Sequence, residues 1–151
     1  MSIPRAEAGE VTVQETRKGD FTQIISVGGK HALRADEPLA YGGKDTGPTP
    51  YDFLLSGLGA CTTMTIRMYA DRKKIPLEIA SVTLQHDKIH AQDCEGCEEK
   101  GSKVDKITRV ITLQGNLTDK QRQSLLAIAE KCPVHRTLHS KVMVESTLKT
   151  L

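Results

Sequence analysis

The sequence predicts an α+β protein with antiparallel sheets and one long helix. Segments that alternate apolar and polar residues fill the first part of the chain and recur in its middle, as half-buried strands do. The run over 50–69 instead places apolar residues at three- and four-residue steps, which is typical of a helix. Glycines and prolines separate these segments. We therefore predict the element order βββ-α-ββ-αα-β in a single domain over residues 1–151.

The first three predicted strands form an antiparallel meander. Residues 10–16 alternate in polarity, and residues 21–27 return after a turn signal at 18–20. A glycine pair at 28–29 then leads to a short strand at about 31–35. A loop rich in glycine and proline, residues 36–49, connects the meander to the helix.

The predicted long helix begins at Pro50, where the missing N–H group would have no intrahelical partner. Its buried stripe is predicted from the spacing and consists of Leu54, Leu58, Cys61, Thr65 and Met68, widened by Leu55 and Ile66. Gly57 and Gly59 lower helix propensity but allow another backbone to approach closely. The pattern thus favours a central, buried helix that ends near residue 74, before Pro76.

In the second half of the chain, the sequence predicts a pair of strands, two helices and a last strand. Residues 80–86, with a possible extension to 90, pair with 107–113 across an acidic loop. Residues 118–121 match a capping box that starts a helix, and Pro133 ends that helix and opens a short second one. Residues 141–147 alternate again and predict the closing strand.

Composition and charge exclude several classes of function. The formal net charge is +2 over 151 residues, and no basic tract accompanies it, so we expect no nucleic-acid partner. No apolar stretch has the length of a membrane span, and the first residues lack the apolar core of a secretory signal. We therefore expect a cytoplasmic protein without a membrane partner. In that compartment its 4 cysteines should be reduced, catalytic or metal-binding.

Two cysteines lie in contrasting surroundings. Cys132 precedes Pro133, and a thiol at the N-cap of a helix meets unpaired N–H groups that favour thiolate, with His135 and Arg136 as further positive groups. A small buried residue at a helix joint fits this context equally well. Cys61 lies on the apolar stripe, where burial raises a thiol's pKa and favours an inert core residue unless a cation or hydrogen-bonding group contacts it.

The other two cysteines, Cys94 and Cys97, form a Cys-x-x-Cys pair flanked by acids that disfavour a redox role. We predict no metal site. If one exists, zinc bound by Cys94, Cys97 and His90 is the candidate, since His86 would lie about 13 Å from His90 along an extended strand. A regulatory disulfide and a solvated loop are equally compatible with this segment.

Residues 47–62, Gly-Pro-Thr-Pro-Tyr-Asp-Phe-Leu-Leu-Ser-Gly-Leu-Gly-Ala-Cys-Thr, with Cys132-Pro-Val-His135, closely resemble the OsmC/Ohr family. These are the osmotically induced and organic hydroperoxide resistance proteins. The resemblance covers essentially the whole chain, and residues 32–38 and 68–72 resemble a less characterised OsmC-like branch. It implies the OsmC-like fold and an intertwined homodimer with central long helices and two active sites at the subunit interface.

The resemblance also implies a thiol-dependent peroxidase, an antioxidant enzyme of the oxidative stress response. Its substrates would be organic hydroperoxides or hydrogen peroxide. Cys61 would attack the peroxide and become a sulfenic acid, and Cys132 would condense with it to a disulfide. An external dithiol or a lipoylated reductant would then reduce that disulfide. No cofactor is expected.

The chain departs from the family pattern at the groups that assist the peroxidatic thiol. Tyr51 stands where other members have a glutamate, and the neighbouring Asp52 is the candidate acid; by position alone, Asp52 is a first-turn acid that interacts with the helix dipole. Arg34 is the candidate arginine, ahead of Arg17. These departures support an alternative hypothesis, a non-enzymatic redox sensor or small-molecule binding module that retains the fold.

Overall fold

The structure is a computed structural model that describes residues 3–17, 21–90 and 103–149. The chain divides into two compact units, Met1–Leu54 and Leu55–Leu151, with the boundary inside the long helix. The single-domain organisation stays a prediction. The α+β class, with antiparallel sheets and one long helix, is confirmed.

The first unit contains the predicted antiparallel meander. Strands β1 (Val11–Glu15), β2 (Gln23–Val27) and β3 (His31–Ala35) form one sheet in the order β1-β2-β3. Ile25 of the central strand faces Val13 on one side and Leu33 on the other. Its exposed fraction is 9%, against 55% for Val13 and 46% for Leu33, so the buried part of the sheet lies along β2.

Asp36 organises the loop that follows β3. The carboxylate is buried and accepts hydrogen bonds from the hydroxyls of Thr22 (3.1 Å) and Thr46 (2.7 Å) and from the backbone N–H of Glu37 (2.9 Å) and Thr46 (3.2 Å). The Thr46 hydroxyl is the main cause of a pKa far below the ordinary 3.8 of aspartate, and the backbone donors overcome the opposing effect of burial. Asp36 therefore stays ionised, and its charge stabilises the loop.

Helix α1 (Pro50–Arg72) has 23 residues and a defined signal at each end. Thr49 Oγ1 accepts from the backbone N–H of Asp52 (3.2 Å), while the Asp52 carboxylate accepts from that of Thr49 (2.9 Å), which is the reciprocal pattern of a capping box. At the other end Lys74 is left-handed (φ 53°), and the Ile75 N–H bonds the Ala70 carbonyl at 2.9 Å, which terminates the helix. No helix in the described part of the chain is long and apolar enough to cross a membrane.

The second unit packs a hairpin against helices. Strands β4 (Ile79–His90) and β5 (Lys103–Gln114) pair antiparallel, followed by α2 (Asp119–Ala129) and α3 (Pro133–Leu138). The predicted capping box at Thr118 and the helix start at Pro133 are both present. The core joins α1 to α2 and to the segment just before β4, and its buried members are Ile66, Ala70, Leu77, Leu125 and Ala129.

The buried face of α1 differs from the predicted stripe. Its buried residues are Leu58, Thr62, Ile66 and Ala70, a row at four-residue spacing, together with Gly59 beside it. Two members of the predicted stripe, Leu54 and Met68, are instead 41% and 73% exposed. A Cβ on Gly59 would lie 2.9 Å from Leu84 Cδ1 of β4, so the glycine allows close packing between this face of the helix and the hairpin.

The predicted closing strand over 141–147 is not formed. Residues 141–149 are described and carry no strand, and no strand in the described part of the chain pairs with them. A strand needs a neighbour for its ladder of hydrogen bonds, and alternation in the sequence does not supply one. The apolar side chains of Val142, Val144 and Leu148 are accordingly 58%, 85% and 92% exposed.

We predict that Leu125→Ala lowers the free energy of unfolding by about 2–5 kcal/mol, because it opens a cavity in the core of the second unit. Leu125 is 0% exposed, whereas its neighbour Leu126 is 53% exposed and provides a matched control. Urea unfolding should therefore show a much smaller loss for Leu126→Ala. Equal losses for the two variants would show that α2 does not bury the face described.

We also predict that Asp36→Asn destabilises the protein in a pH-dependent way. The pKa of Asp36 is lowered in the folded protein, so its contribution is present above the ordinary value of 3.8 and is lost as the pH falls toward the folded pKa. The difference in unfolding free energy between wild type and variant should thus be largest near neutral pH and shrink below about pH 4. Asp45→Asn, an exposed acid of the same loop, serves as the control, and a gap independent of pH would contradict the assignment.

Candidate active site

Cys61 and Cys132 come together in the second unit. Cys61 lies on α1, one position before Thr62 of the buried row, and Cys132 is the N-cap of α3. Both thiols are free, and they are close enough for each to shift the pKa of the other. The structure thus places side by side the two cysteines that the sequence singled out, 71 positions apart by their numbers.

The Cys132 sulfur lies in a pocket of hydrogen-bond donors. It is fully buried and accepts a bond from the backbone N–H of His135 at 3.5 Å. Burial acts to raise the pKa of this thiol, but the hydrogen bonds act against burial and prevail, so the pKa is lowered. The groups that lower it are Cys61, the backbone of His135 and Val134, and Thr62. The N-cap position expected for Cys132 is present, and its surroundings act in the direction that favours thiolate.

For the Cys61 thiol, the effects that raise the pKa outweigh those that lower it. The residue is partly exposed, and desolvation together with the bond to Cys132 raises the pKa of its thiol. The backbone N–H of Val134 and the Thr65 hydroxyl act in the other direction but do not prevail. Cys132 is therefore the more acidic of the two thiols, while Cys61 is the more accessible residue.

Arg109 is a member of this cluster that sequence reasoning missed. Its guanidinium, with the side chain 9% exposed, donates to Thr62 Oγ1 (3.0 Å), to the Ala129 carbonyl (3.4 Å) and to Glu130 Oε1 (3.0 Å). The sequence contains a usable signal: Arg109 shares the inward period of β5 with Ile107 and Ile111. A charged residue in such a position needs buried partners, which points to a polar site.

His135 completes the network on the α3 side. Its Nε2 lies 3.1 Å from Glu130 Oε2, and its ring stacks near that of His139, with centroids 4.3 Å apart. Burial is the main reason that the pKa of His135 is lowered from 6.5, and Arg109 adds to the effect. His135 is therefore neutral at neutral pH, so the positive potential expected from this residue comes from Arg109 instead.

The two predicted assisting groups belong to the first unit. Asp52 is engaged in the capping box, and its carboxylate also accepts from the Thr49 hydroxyl at 2.8 Å, which agrees with its interpretation as a first-turn acid. Arg34 lies on β3 opposite Ile24 and is exposed. Catalytic roles for Asp52 and Arg34 beside Cys61 stay predictions, as do the peroxidatic and resolving roles of the two cysteines.

The candidate zinc ligands fall in a part of the chain that the structure does not describe. Cys94, Cys97 and the side chain of His90 lie beyond the described residues. His86 is described, and its Nε2 lies 2.7 Å from Asp105 Oδ1 on the paired strand. Across residues 3–17, 21–90 and 103–149, no group of three or more histidine, cysteine or acidic side chains is arranged to hold a metal ion.

Comparison with solved structures supports the fold. An OsmC-like protein from Mycoplasma pneumoniae superposes with a TM-score of 0.66 at 16% identity, covering 86% of each chain. An organic hydroperoxide resistance protein OsmC from Legionella pneumophila gives 0.61 at 24% identity, over 85% of this chain and 87% of the other. OhrB, the organic hydroperoxide resistance protein of Bacillus subtilis, gives 0.57 at 21%, over 85% and 87%. At such identities the likeness shows the fold alone.

Sequence comparison identifies the family. No curated protein matches the chain. The profile of the OsmC-like proteins matches residues 43–147, well over half of the 151-residue chain and including both cysteines of the thiol pair. The resemblance noted from the sequence motifs is thereby confirmed. This protein therefore belongs to the OsmC-like family.

Proposed function

We propose that this chain is a thiol-dependent peroxidase that reduces organic hydroperoxides or hydrogen peroxide through Cys61 and Cys132. The observation that carries the proposal is the proximity of two free thiols, each of which shifts the pKa of the other, with one of them at a helix N-cap and accepting a backbone N–H. Its family and fold support the substrate class, since neighbours from Legionella pneumophila and Bacillus subtilis are named organic hydroperoxide resistance proteins. We further propose that it acts as a cytoplasmic homodimer, with a dithiol or lipoylated reductant.

Accessibility supports Cys61 as the thiol that attacks peroxide. Cys132 is fully buried, whereas Cys61 is partly exposed, so a peroxide contacts the Cys61 sulfur first. In this mechanism the two sulfurs share one proton, and the Cys132 thiolate accepts that proton from Cys61. The Val134 N–H and the Thr65 hydroxyl then stabilise the thiolate formed on Cys61. Negative charge therefore develops on the Cys61 sulfur only when its proton moves to Cys132.

The reaction balances with this single proton. The Cys61 thiolate attacks one peroxide oxygen, the O–O bond breaks, and Cys61 becomes a sulfenic acid while an alkoxide leaves. Cys132 returns the proton to the alkoxide, which gives the alcohol (or water from hydrogen peroxide) and restores the Cys132 thiolate. That thiolate attacks the Cys61 sulfur and displaces hydroxide to form the disulfide. An external dithiol then restores both thiols and becomes a disulfide itself.

The raised pKa of Cys61 favours one second candidate, a redox sensor that oxidises without turnover. A thiol that is mostly protonated reacts slowly with peroxide. In that case the Cys61–Cys132 disulfide would form stoichiometrically, and added dithiols would not sustain peroxide consumption. Steady-state consumption with a dithiol or lipoylated reductant separates the two functions.

We expect Cys61→Ser to reduce peroxide consumption to the uncatalysed rate, because the accessible nucleophile is lost. Without added reductant, Cys132→Ser should consume at most one peroxide per chain and retain Cys61 as a sulfenic acid that a dione probe traps. The Cys94→Ser/Cys97→Ser double variant is the matched control and should keep wild-type activity. Unchanged turnover in Cys61→Ser would refute the proposal.

We also expect the thiol pair to ionise in two well-separated steps, read as thiolate absorbance in the Cys94→Ser/Cys97→Ser background. The first pKa should lie below the ordinary 9.0 and the second above it. Cys132→Ser should remove the lower step and leave a raised one, since burial of Cys61 persists; Cys61→Ser should leave the lower step. A single step at 9.0 for both thiols would show that they do not interact.

A further inference from the structure

Arg109 joins three elements of the second unit. From β5, its Nη1 donates to Thr62 Oγ1 on α1 at 3.0 Å and to the carbonyl of Ala129, the last residue of α2, at 3.4 Å. Its Nη2 donates to Glu130 Oε1 at 3.0 Å. A planar guanidinium has donors in several directions, so this single side chain links the strand to both helices.

The groups that Arg109 bonds lie next to the two thiols along the chain. Thr62 directly follows Cys61. The Ala129 carbonyl also accepts the backbone N–H of Cys132, at 3.3 Å. One nitrogen of the guanidinium therefore bonds the neighbour of Cys61 and the carbonyl that holds the main chain of Cys132. The two thiol-bearing segments meet at this nitrogen.

Glu130 extends the link to the other side of Cys132. While its Oε1 accepts from Arg109, its Oε2 lies 3.1 Å from Nε2 of His135 on α3. The backbone N–H of His135 in turn donates to the Cys132 sulfur at 3.5 Å. The chain is thus held two residues before Cys132 and three residues after it. These contacts fix the short turn that carries Cys132 relative to β5.

Disulfide formation makes a narrow geometric demand on the two segments. The Cα atoms of a disulfide usually lie within about 7 Å of each other, and the torsion about the S–S bond is restricted. Both thiols are free in this structure, so non-covalent contacts alone hold the segments that carry them. The Arg109 side chain is only 9% exposed, and hydrogen bonds that are shielded from water are stronger than exposed ones. Arg109 is therefore well placed to supply this hold.

We propose that Arg109 is a positioning residue that holds Cys132 against Cys61 for disulfide formation. This inference rests on the proposed function, whose second step is that disulfide. In the contacts that the structure describes, Arg109 bonds neither sulfur, so it acts on the segments and not on the reacting atoms. Without it, the reduced protein gains freedom at the turn between α2 and α3. The disulfide has to remove that freedom again, so it forms less favourably.

The equilibrium with glutathione measures this freedom directly. The two protein thiols reduce glutathione disulfide to two molecules of glutathione and become the Cys61–Cys132 disulfide, so two electrons and two protons leave the protein. The equilibrium constant has the units of concentration and is the effective concentration of one thiol at the other. It is measured in the Cys94→Ser/Cys97→Ser background, by counting alkylated thiols by mass spectrometry over a series of glutathione ratios.

We expect Arg109→Met to lower the effective concentration by about tenfold, the equivalent of one hydrogen bond to a charged group. Arg109→Lys keeps the charge without the planar fork and should lower it nearly as much. Glu130→Gln, at a position that is 56% exposed, keeps a neutral acceptor and should give a smaller loss. In concentrated urea the contacts of the fold are absent, so wild type and variants should give the same value.

Arg67 provides the matched control. It also bonds three acceptors, namely the carbonyls of Leu77 and Glu78 at 2.8 Å each and the Asp71 carboxylate at 3.4 Å. These acceptors lie on α1 and just before β4, away from the turn that carries the second thiol. Arg67→Met should therefore lower the melting temperature and leave the effective concentration unchanged. If Arg109→Met does not fold, Arg109→Lys and Glu130→Gln decide the outcome.

An unchanged effective concentration in the folded Arg109 variants would overturn the inference. An equal loss in Arg67→Met would also overturn it, because any loss of stability would then loosen the thiol pair. The exchange with glutathione needs no peroxide, so its outcome is independent of turnover. Absent peroxidase activity together with the expected tenfold loss would refute the proposed function and leave the positioning role standing. Normal turnover without that loss would do the reverse.

Discussion

The close packing of one face of α1 determines the chemistry of the second unit. Leu58, Thr62, Ile66 and Ala70 follow each other at four-residue steps and are buried. Each helical residue is rotated by about 100° from the previous one, so Cys61 lies at the rim of this buried row. Thr62 is thus held in the interior, where a polar hydroxyl needs partners, and Cys61 keeps partial access to solvent.

This geometry separates two properties that a reactive thiol usually combines. Cys132 has the donors that stabilise negative charge and no exposure, whereas Cys61 has exposure and a raised pKa. Neither sulfur alone has both accessibility and acidity. In the proposed mechanism a shared proton reconciles them, because negative charge at the buried sulfur is transferred to the exposed one when the proton moves. Under that proposal the pair, and neither thiol alone, is the functional unit.

Much of the fold followed from local signals. The meander, the capping box at Thr118 and the N-cap position of Cys132 depend on short-range chemistry, and the structure contains all three. The buried face of α1 followed only in part: Leu58 and Ile66 were predicted, whereas Gly59 and Ala70 carry little hydrophobic signal. The closing strand depends on a pairing partner, and alternation cannot supply that. Arg109 was missed because its partners are 20 to 47 positions away in sequence.

The three bonds of Arg109 have a consequence for how this site can vary during evolution. Its contacts with Thr62 and with the Ala129 carbonyl are internal, so substitution of Arg109 forfeits folding stability. Glu130, by contrast, is 56% exposed and tolerates replacement at the surface. The buried end of this network is therefore constrained, whereas its exposed end accepts a wider range of residues.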